Sequence, residues 1–384
     1  MKTKEVLRIL NLFIFWVLFL SLIIILADKV LPYKPSFPYF KELPKYGLPK
    51  YLSSLANFDG VHYLTIARKG YIGTDFIQAF FPLYPLSMRL ANNIIQNYLL
   101  SGVVLSHLFA LFSFYSFYYL VKMDHDKKTA WLALIIFATF ISSFYLRSLY
   151  NESLFLTLIF SSFIATRKKK YLLAGVLGGL ASATRIVGIF IFPSLLLLIF
   201  LHDRKKWHAY FAVAIPSILG LLIYMIYLKW QFGDYLYFFH VQEKFGASRQ
   251  TQLVLYPQVI YRYFKIFMTV RPIDLKYYAY VQEFLVSLFA LGVLVAASLK
   301  NFFKKNKNKI DWSYLLFAFL AYFLPPLTGN FSSMPRYVLA CFPLFIYLAV
   351  FLEKRKQLKF IYLTISLIFL IINLILFTEG YWVA

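Results

Sequence analysis

The chain has 384 residues, of which 61% are hydrophobic, 21% aromatic and only 15% charged. A water-soluble globular chain does not carry that balance, so an all-α polytopic membrane protein is expected. The formal net charge of +24 would suggest nucleic acid in a soluble chain, but the cations sit in short gaps between apolar runs, which points to membrane lipid and to no nucleic-acid partner.

The first run, Val6–Ala27, has the length of one bilayer crossing and no A-x-A cleavage pattern, so it reads as a retained first span with a cytoplasmic N-terminus. Basic gaps follow at Lys122–Lys128, Arg167–Lys170, Arg204–Lys206, Lys300–Lys309 and Lys354–Lys359, and the positive-inside rule assigns them to the cytoplasmic face. Threading the chain between them makes residues 28–97 a first external loop. Tyr98–Val121, Thr129–Ser148 and Ser153–Thr166 then cross in turn. Tyr171–Leu201 lies between two basic gaps, yet it is too short for two full crossings. Its stretch "GLASATRIVGIFIFP" carries Gly179, Arg185, Gly188 and Pro193, so a broken, re-entrant hairpin is expected there. His208–Trp230 leads to a second external segment, 231–277. Tyr278–Leu299, Trp312–Leu327, Tyr337–Leu352 and Phe360–Phe377 complete roughly eleven membrane helices in a single multi-pass domain, 1–384.

Several function classes lose support at once. The lone cysteine, Cys341, excludes an intramolecular disulfide. Phosphate-binding glycine loops and zinc-spaced cysteines do not occur, so ATP-driven pumping and zinc chemistry lose support and no cofactor is expected. Matching interrupted helices in the two halves, a mark of many secondary transporters, are not seen.

Ionisable groups in or beside apolar runs cost about 2.5–3.5 kcal/mol or more at mid-bilayer and so tend to have a partner or a task. Arg147, with Asn151 and Glu152 in "FYLRSLYNESLFL", reads as an outer helix boundary, either an interfacial anchor or part of a site. Arg185 lies at the tip of the expected hairpin, and Arg336 in "SSMPRYVLACFP" opens a later helix. Guanidinium forks suit phosphate oxygens, so external arginines suggest a phosphate-bearing lipid. In the first external loop, "NFDGVHYLTIARKGY" places Asp59, His62, Tyr63 and Ile66 at helical spacing, which aligns an acid, an imidazole and a phenol on one face. An amphipathic helix on the headgroups would have that periodicity too, though such helices usually carry Lys or Arg rather than a lone Asp beside His.

"FDGVHYLTIARKGY" followed by "AFFPLYPL" resembles the PIG-V (GPI mannosyltransferase 2) family of membrane glycosyltransferases, with Phe58 where that family usually has tryptophan. "NESLFLTL" from Asn151, "AGVLGGLASATRIVGI" from Ala174 and "MPRYVLACFPLF" from Met334 are similar to its later blocks. The resemblance implies a GT-C-type fold and transfer, with inversion, of a hexose, in the first place mannose. The donor would be a polyprenyl-phosphate sugar and the acceptor a glycan or glycolipid. It implies Asp59 as the catalytic base and, as in most members of the GT-C class, no metal; His62, Tyr63, Asn151, Glu152, Arg185 and Arg336 are expected from their chemistry and placement to bind substrate. The site would face the exterior of a prokaryotic cell membrane or the lumen of the endoplasmic reticulum. A lipid-linked sugar flippase and a non-catalytic subunit of a glycan-assembly complex are the alternatives.

Overall fold

The computed structural model describes residues 3–245, 249–250, 252–272, 275–303 and 309–383. Lys2, residues 304–308 of one basic gap and parts of the 231–277 segment lie outside the described residues. Every regular element among those described is helical. That is the expected solution where no water is present to satisfy open backbone groups.

The helices of ten residues or more are α1 (Thr3–Val30), α2 (Asp59–Lys69), α3 (Leu83–Ile95), α4 (Tyr98–Asp124), α5 (Lys127–Thr139), α6 (Glu152–Arg167), α7 (Tyr171–Ser182), α8 (Ile191–Asp203), α9 (Trp207–Phe232), α10 (Tyr256–Thr269), α11 (Leu275–Phe303), α12 (Trp312–Phe323), α13 (Pro343–Leu352) and α14 (Lys356–Thr378). Six segments among the described residues are long and apolar enough to cross a bilayer: α1, α4, Ile186–Asp203, α9, α11 and α14. Met334–Ala340 with α13 would make a seventh, bent by 81°. The protein is an integral membrane protein.

The expected crossings Thr129–Ser148 and Ser153–Thr166 are the shorter helices α5 and α6, of 13 and 16 residues. At ~1.5 Å per residue each falls short of the ~30 Å hydrocarbon core. α5 stops where Phe140 turns extended and the Ser143 hydroxyl donates to the Ala138 carbonyl. The break at Arg185 is present, between α7 and the 3₁₀ turn Ile186–Phe190, but the returning arm through α8 is long enough to cross by itself.

The chain forms two compact units. The first comprises Met1–Gly70, Tyr84–Thr157 and Phe345–Val383. In it Glu5 pairs with Lys122 and Lys127 at 2.6 and 3.2 Å, tying the start of α1 to the α4–α5 junction. Arg147 is only 3% exposed and sits deep rather than at the surface. Its guanidinium donates to the Val17 carbonyl and the Ser21 hydroxyl of α1, each at 3.0 Å. It therefore anchors a span from within the protein and does not snorkel.

The second unit comprises Tyr71–Leu83 and Leu158–Leu344. Its α7 and α9 meet backbone to backbone. A Cβ at Gly220 would collide with the Gly179 carbonyl, and one at Gly179 with the Pro216 carbonyl. Close approach of this kind is how helices associate where apolar surface alone gives no preference over lipid. Gly220→Leu should therefore force the pair apart and cost about 1–3 kcal/mol or more, read as a lowered thermal midpoint of the detergent-solubilised protein. Gly292→Leu, where nothing lies within 4 Å of the added carbon, should leave the midpoint unchanged.

Candidate active site

In the first unit the residues around Asp59 are set by one unusual turn. Phe58 has φ 57° and ψ −115°, a backbone region that costs a bulky residue of order 1–3 kcal/mol. Its ring is buried against Phe37, Phe377 and Trp382, with centroids at 4.7, 5.8 and 5.5 Å. Tyr150 spans the strained residue: its hydroxyl donates to the Asn57 carbonyl at 2.9 Å and accepts from the Asp59 N–H at 3.2 Å. The Asn57 side chain in turn donates to the carbonyls of Phe377 and Thr378 at the end of α14. Nearby, Lys50 pairs with Asp28 and with Glu379, the latter at 2.6 Å.

Asp59, half-buried, thus opens α2, where a carboxylate complements the helix dipole. Gly70 ends the helix with φ 79° and its N–H on the Ile66 carbonyl. His62 follows Asp59 by three residues and is buried. Desolvation lowers the imidazole's pKa below 6.5 and Asp59 partly offsets it, so at neutral pH the ring is neutral and can orient a hydroxyl without adding charge. Tyr63 packs edge-on against Tyr84 at 5.2 Å and Tyr150 at 6.4 Å. Asn151 and Glu152 are both buried at the start of α6, and the Asn151 carbonyl accepts from the Phe155 N–H. The first unit therefore gathers Asp59, His62, Tyr63, Asn151 and Glu152 around the Tyr150 turn.

The second unit gathers the two arginines. The Arg185 guanidinium stands 4.7 Å and that of Arg336 6.0 Å from the centre of the Tyr337 ring. Arg249 also acts on the Tyr337 hydroxyl, so three guanidinium groups converge on one phenol. The turn that leads into Arg336 is held by Glu283 on α11, which accepts from the Ser333 N–H at 3.2 Å and from the Tyr263 hydroxyl at 2.6 Å. Sequence reasoning missed Tyr150, Asn57 and Arg249. Of these only Arg249 carried a signal, as a cation in the second external segment. Among the described residues no three His, Cys, Asp or Glu side chains group as a metal site would require.

The profile described as Glycosyltransferase family 87 matches residues 77–324, well over half of the chain. The chain belongs to glycosyltransferase family 87. The matched range begins just after the Asn57–Tyr71 block on which the PIG-V resemblance rests, and ends before Arg336. No curated protein sequence matches this family 87 member. Among solved structures it is similar to the oligosaccharyltransferase of Archaeoglobus fulgidus tethered to an acceptor peptide with an NVT sequon, at 12% identity and a TM-score of 0.51. The same oligosaccharyltransferase in its apo form gives 11% identity and a TM-score of 0.48. The chain is covered to 99% and 100% in these comparisons, and spans 56% and 57% of the longer protein. The likeness to the tethered form shows a GT-C-type fold.

Two expectations follow for this family 87 glycosyltransferase. Tyr150→Phe keeps the ring but removes both hydrogen bonds across Phe58, so the thermal midpoint should fall by the equivalent of about 1–3 kcal/mol, and turnover by about 10–100-fold, as a misplacement of about 1 Å in an active site does. His62 has its folded pKa below its unfolded value, so its contribution is present above pH 6.5 and is lost as pH falls below 6.5 through the folded value. The thermal midpoint should accordingly drop between pH 7.5 and 5, and His62→Gln should flatten that part of the profile.

Proposed function

We propose that this glycosyltransferase moves a hexose, in the first place mannose, from a polyprenyl-phosphate donor to a glycan or glycolipid acceptor on the external or lumenal side of the membrane. Asp59 takes the acceptor hydroxyl's proton as that oxygen attacks the anomeric carbon. The bond from that carbon to the phosphate oxygen breaks, and the lipid phosphate leaves as an anion with inversion at the sugar. One carboxylate suffices because a phosphate leaves without protonation, unlike the alcohol released by a glycosidase, which needs a second carboxyl group. His62 and Tyr63 orient the reacting sugars, Asn151 and Glu152 contribute to substrate binding, and Arg185 and Arg336 take the donor's phosphate.

The observation that carries this reading is the fixed backbone at Asp59, which stands at a helix start with its N–H bound to Tyr150 and its neighbour His62 buried. The convergence of Arg185 and Arg336 on Tyr337 supports the phosphate assignment, since their forked donors match phosphate oxygens. Mannose and the lipid-phosphate donor rest on the resemblance of the Asp59 block to the PIG-V family.

Asp59→Asn keeps size and most hydrogen bonding but removes the basic oxygen. It should leave donor binding intact and lower turnover by about 10²–10⁴, measured as transfer of labelled sugar from a polyprenyl-phosphate donor in detergent. Turnover at the parent rate would remove Asp59 from the role of base. Arg185→Gln and Arg336→Gln should each raise the donor KM, with Lys restoring only part because a point charge lacks the fork. For orientation, a Cys341→Ala chain carrying Asp75→Cys should react with an impermeant thiol reagent on intact cells. Labelling only after the cells are opened would put the first loop in the cytosol.

A further inference from the structure

Helix α10 has three distinct faces. Val259 and Tyr263 are buried. On the opposite side Tyr261, Phe264 and Met268 are 68, 54 and 89% exposed, one stripe at helical spacing. Arg262 and Lys265 lie along the edge of that stripe. A water-facing helix gains nothing from such a row, whereas a helix lying in a bilayer surface has this composition, with cations at headgroup level beside an apolar face.

The depth of the helix follows from what it packs on. Phe267 meets Tyr277 at 5.9 Å, Tyr263 meets Tyr280 at 6.3 Å, and Phe264 meets Phe284 at 5.7 Å. These partners all lie in the first ten residues of α11, a 29-residue span. At ~1.5 Å per residue that span is about 43 Å long against a core of ~30 Å, so its first turns stand in the interfacial zone.

α10 is also tied to the segment before Arg336. The Tyr263 hydroxyl donates to Glu283 and accepts from the Phe331 N–H at 3.2 Å, while Arg262 donates to the Gly329 carbonyl at 3.0 Å. Glu283 holds the Ser333 N–H as well. The 329–333 loop therefore hangs from α10 and α11 together.

We propose that α10 is a membrane-surface element whose Tyr261, Phe264 and Met268 stripe is seated at the acyl boundary of the bilayer, and that it holds the Arg336 segment at headgroup depth. At that depth a phosphate carried on a lipid meets the protein; this consequence rests on the donor reading above, whereas the seating of α10 does not.

The test uses the full chain with Cys341→Ala, spin-labelled at Met268→Cys or at Gln258→Cys on the polar edge of the same helix, in phosphatidylcholine–phosphatidylglycerol vesicles without donor. The Met268 label should be relaxed more by oxygen than by a water-soluble nickel chelate, and the Gln258 label the reverse. Equal relaxation of both labels by the chelate would overturn the seating. For the link to Arg336, Met268→Asp should raise the lipid-donor KM several-fold in vesicles with kcat retained; an unchanged KM would overturn the link. A label in the lipid together with normal donor use by Arg336→Gln would leave α10 on the membrane and remove Arg336 from the donor site.

Discussion

The arrangement around Asp59 depends on the Tyr150 hydroxyl. A phenylalanine at positive φ is disfavoured by sterics alone and persists only where its surroundings over-determine it. Tyr150 supplies that by holding the carbonyl before Phe58 and the N–H after it, and the buried aromatic rings of Phe37, Phe377 and Trp382 hold the side chain. The backbone position from which Asp59 projects is therefore a property of three stretches far apart in the chain, residues 57–59, 150 and 377–382, and not of the local helix. Those contacts, acting against the strain at Phe58, keep the proposed base from relaxing into a more ordinary helix start.

The same rule governs the charges. Moving an ion out of water costs several kcal/mol unless it finds compensating groups, and three ions withdrawn from water here show such groups. Arg147 uses a carbonyl and a hydroxyl of α1, Glu5 uses two lysines, and Glu379 uses Lys50. Burial still raises the Glu379 carboxyl above the usual carboxylate range, with Lys50 opposing the shift. A protein rich in Lys and Arg can thus keep a small number of them inside while most remain in the gaps between spans.

Much of this was legible in the sequence, and the physical reason separates what was from what was not. Local signals survived: Asp59, His62 and Tyr63 do share α2, Gly70 does end it, and the glycines with Arg185 do mark a break in the chain. Apolar length was a poorer guide, because hydropathy does not distinguish a lipid-facing span from a helix buried in protein, and α5 and α6 are of the second kind. Arg147 read equally well as an interfacial anchor or as part of a site, and its partners turned out to be more than a hundred residues away in the chain. Tyr150 gave no signal at all, since one tyrosine among thirty-one is recognisable as a bridge only when the strained residue it spans is seen.

The proposed site residues share one structural position that explains why they are polar. Asp59 starts α2, Asn151 and Glu152 start α6, Arg185 precedes the Ile186–Phe190 turn, and Arg336 lies in the short Met334–Tyr337 turn. Helix ends leave backbone N–H and carbonyl groups without intrahelical partners. At or near membrane depth such groups persist only where protein or a polar cavity receives them. A fold that interrupts its helices inside the protein must therefore surround each interruption with polar side chains, and within each unit that requirement accounts for an acid, an amide or a guanidinium group at a helix end. Short, broken helices are thus the means by which an apolar chain acquires a polar interior.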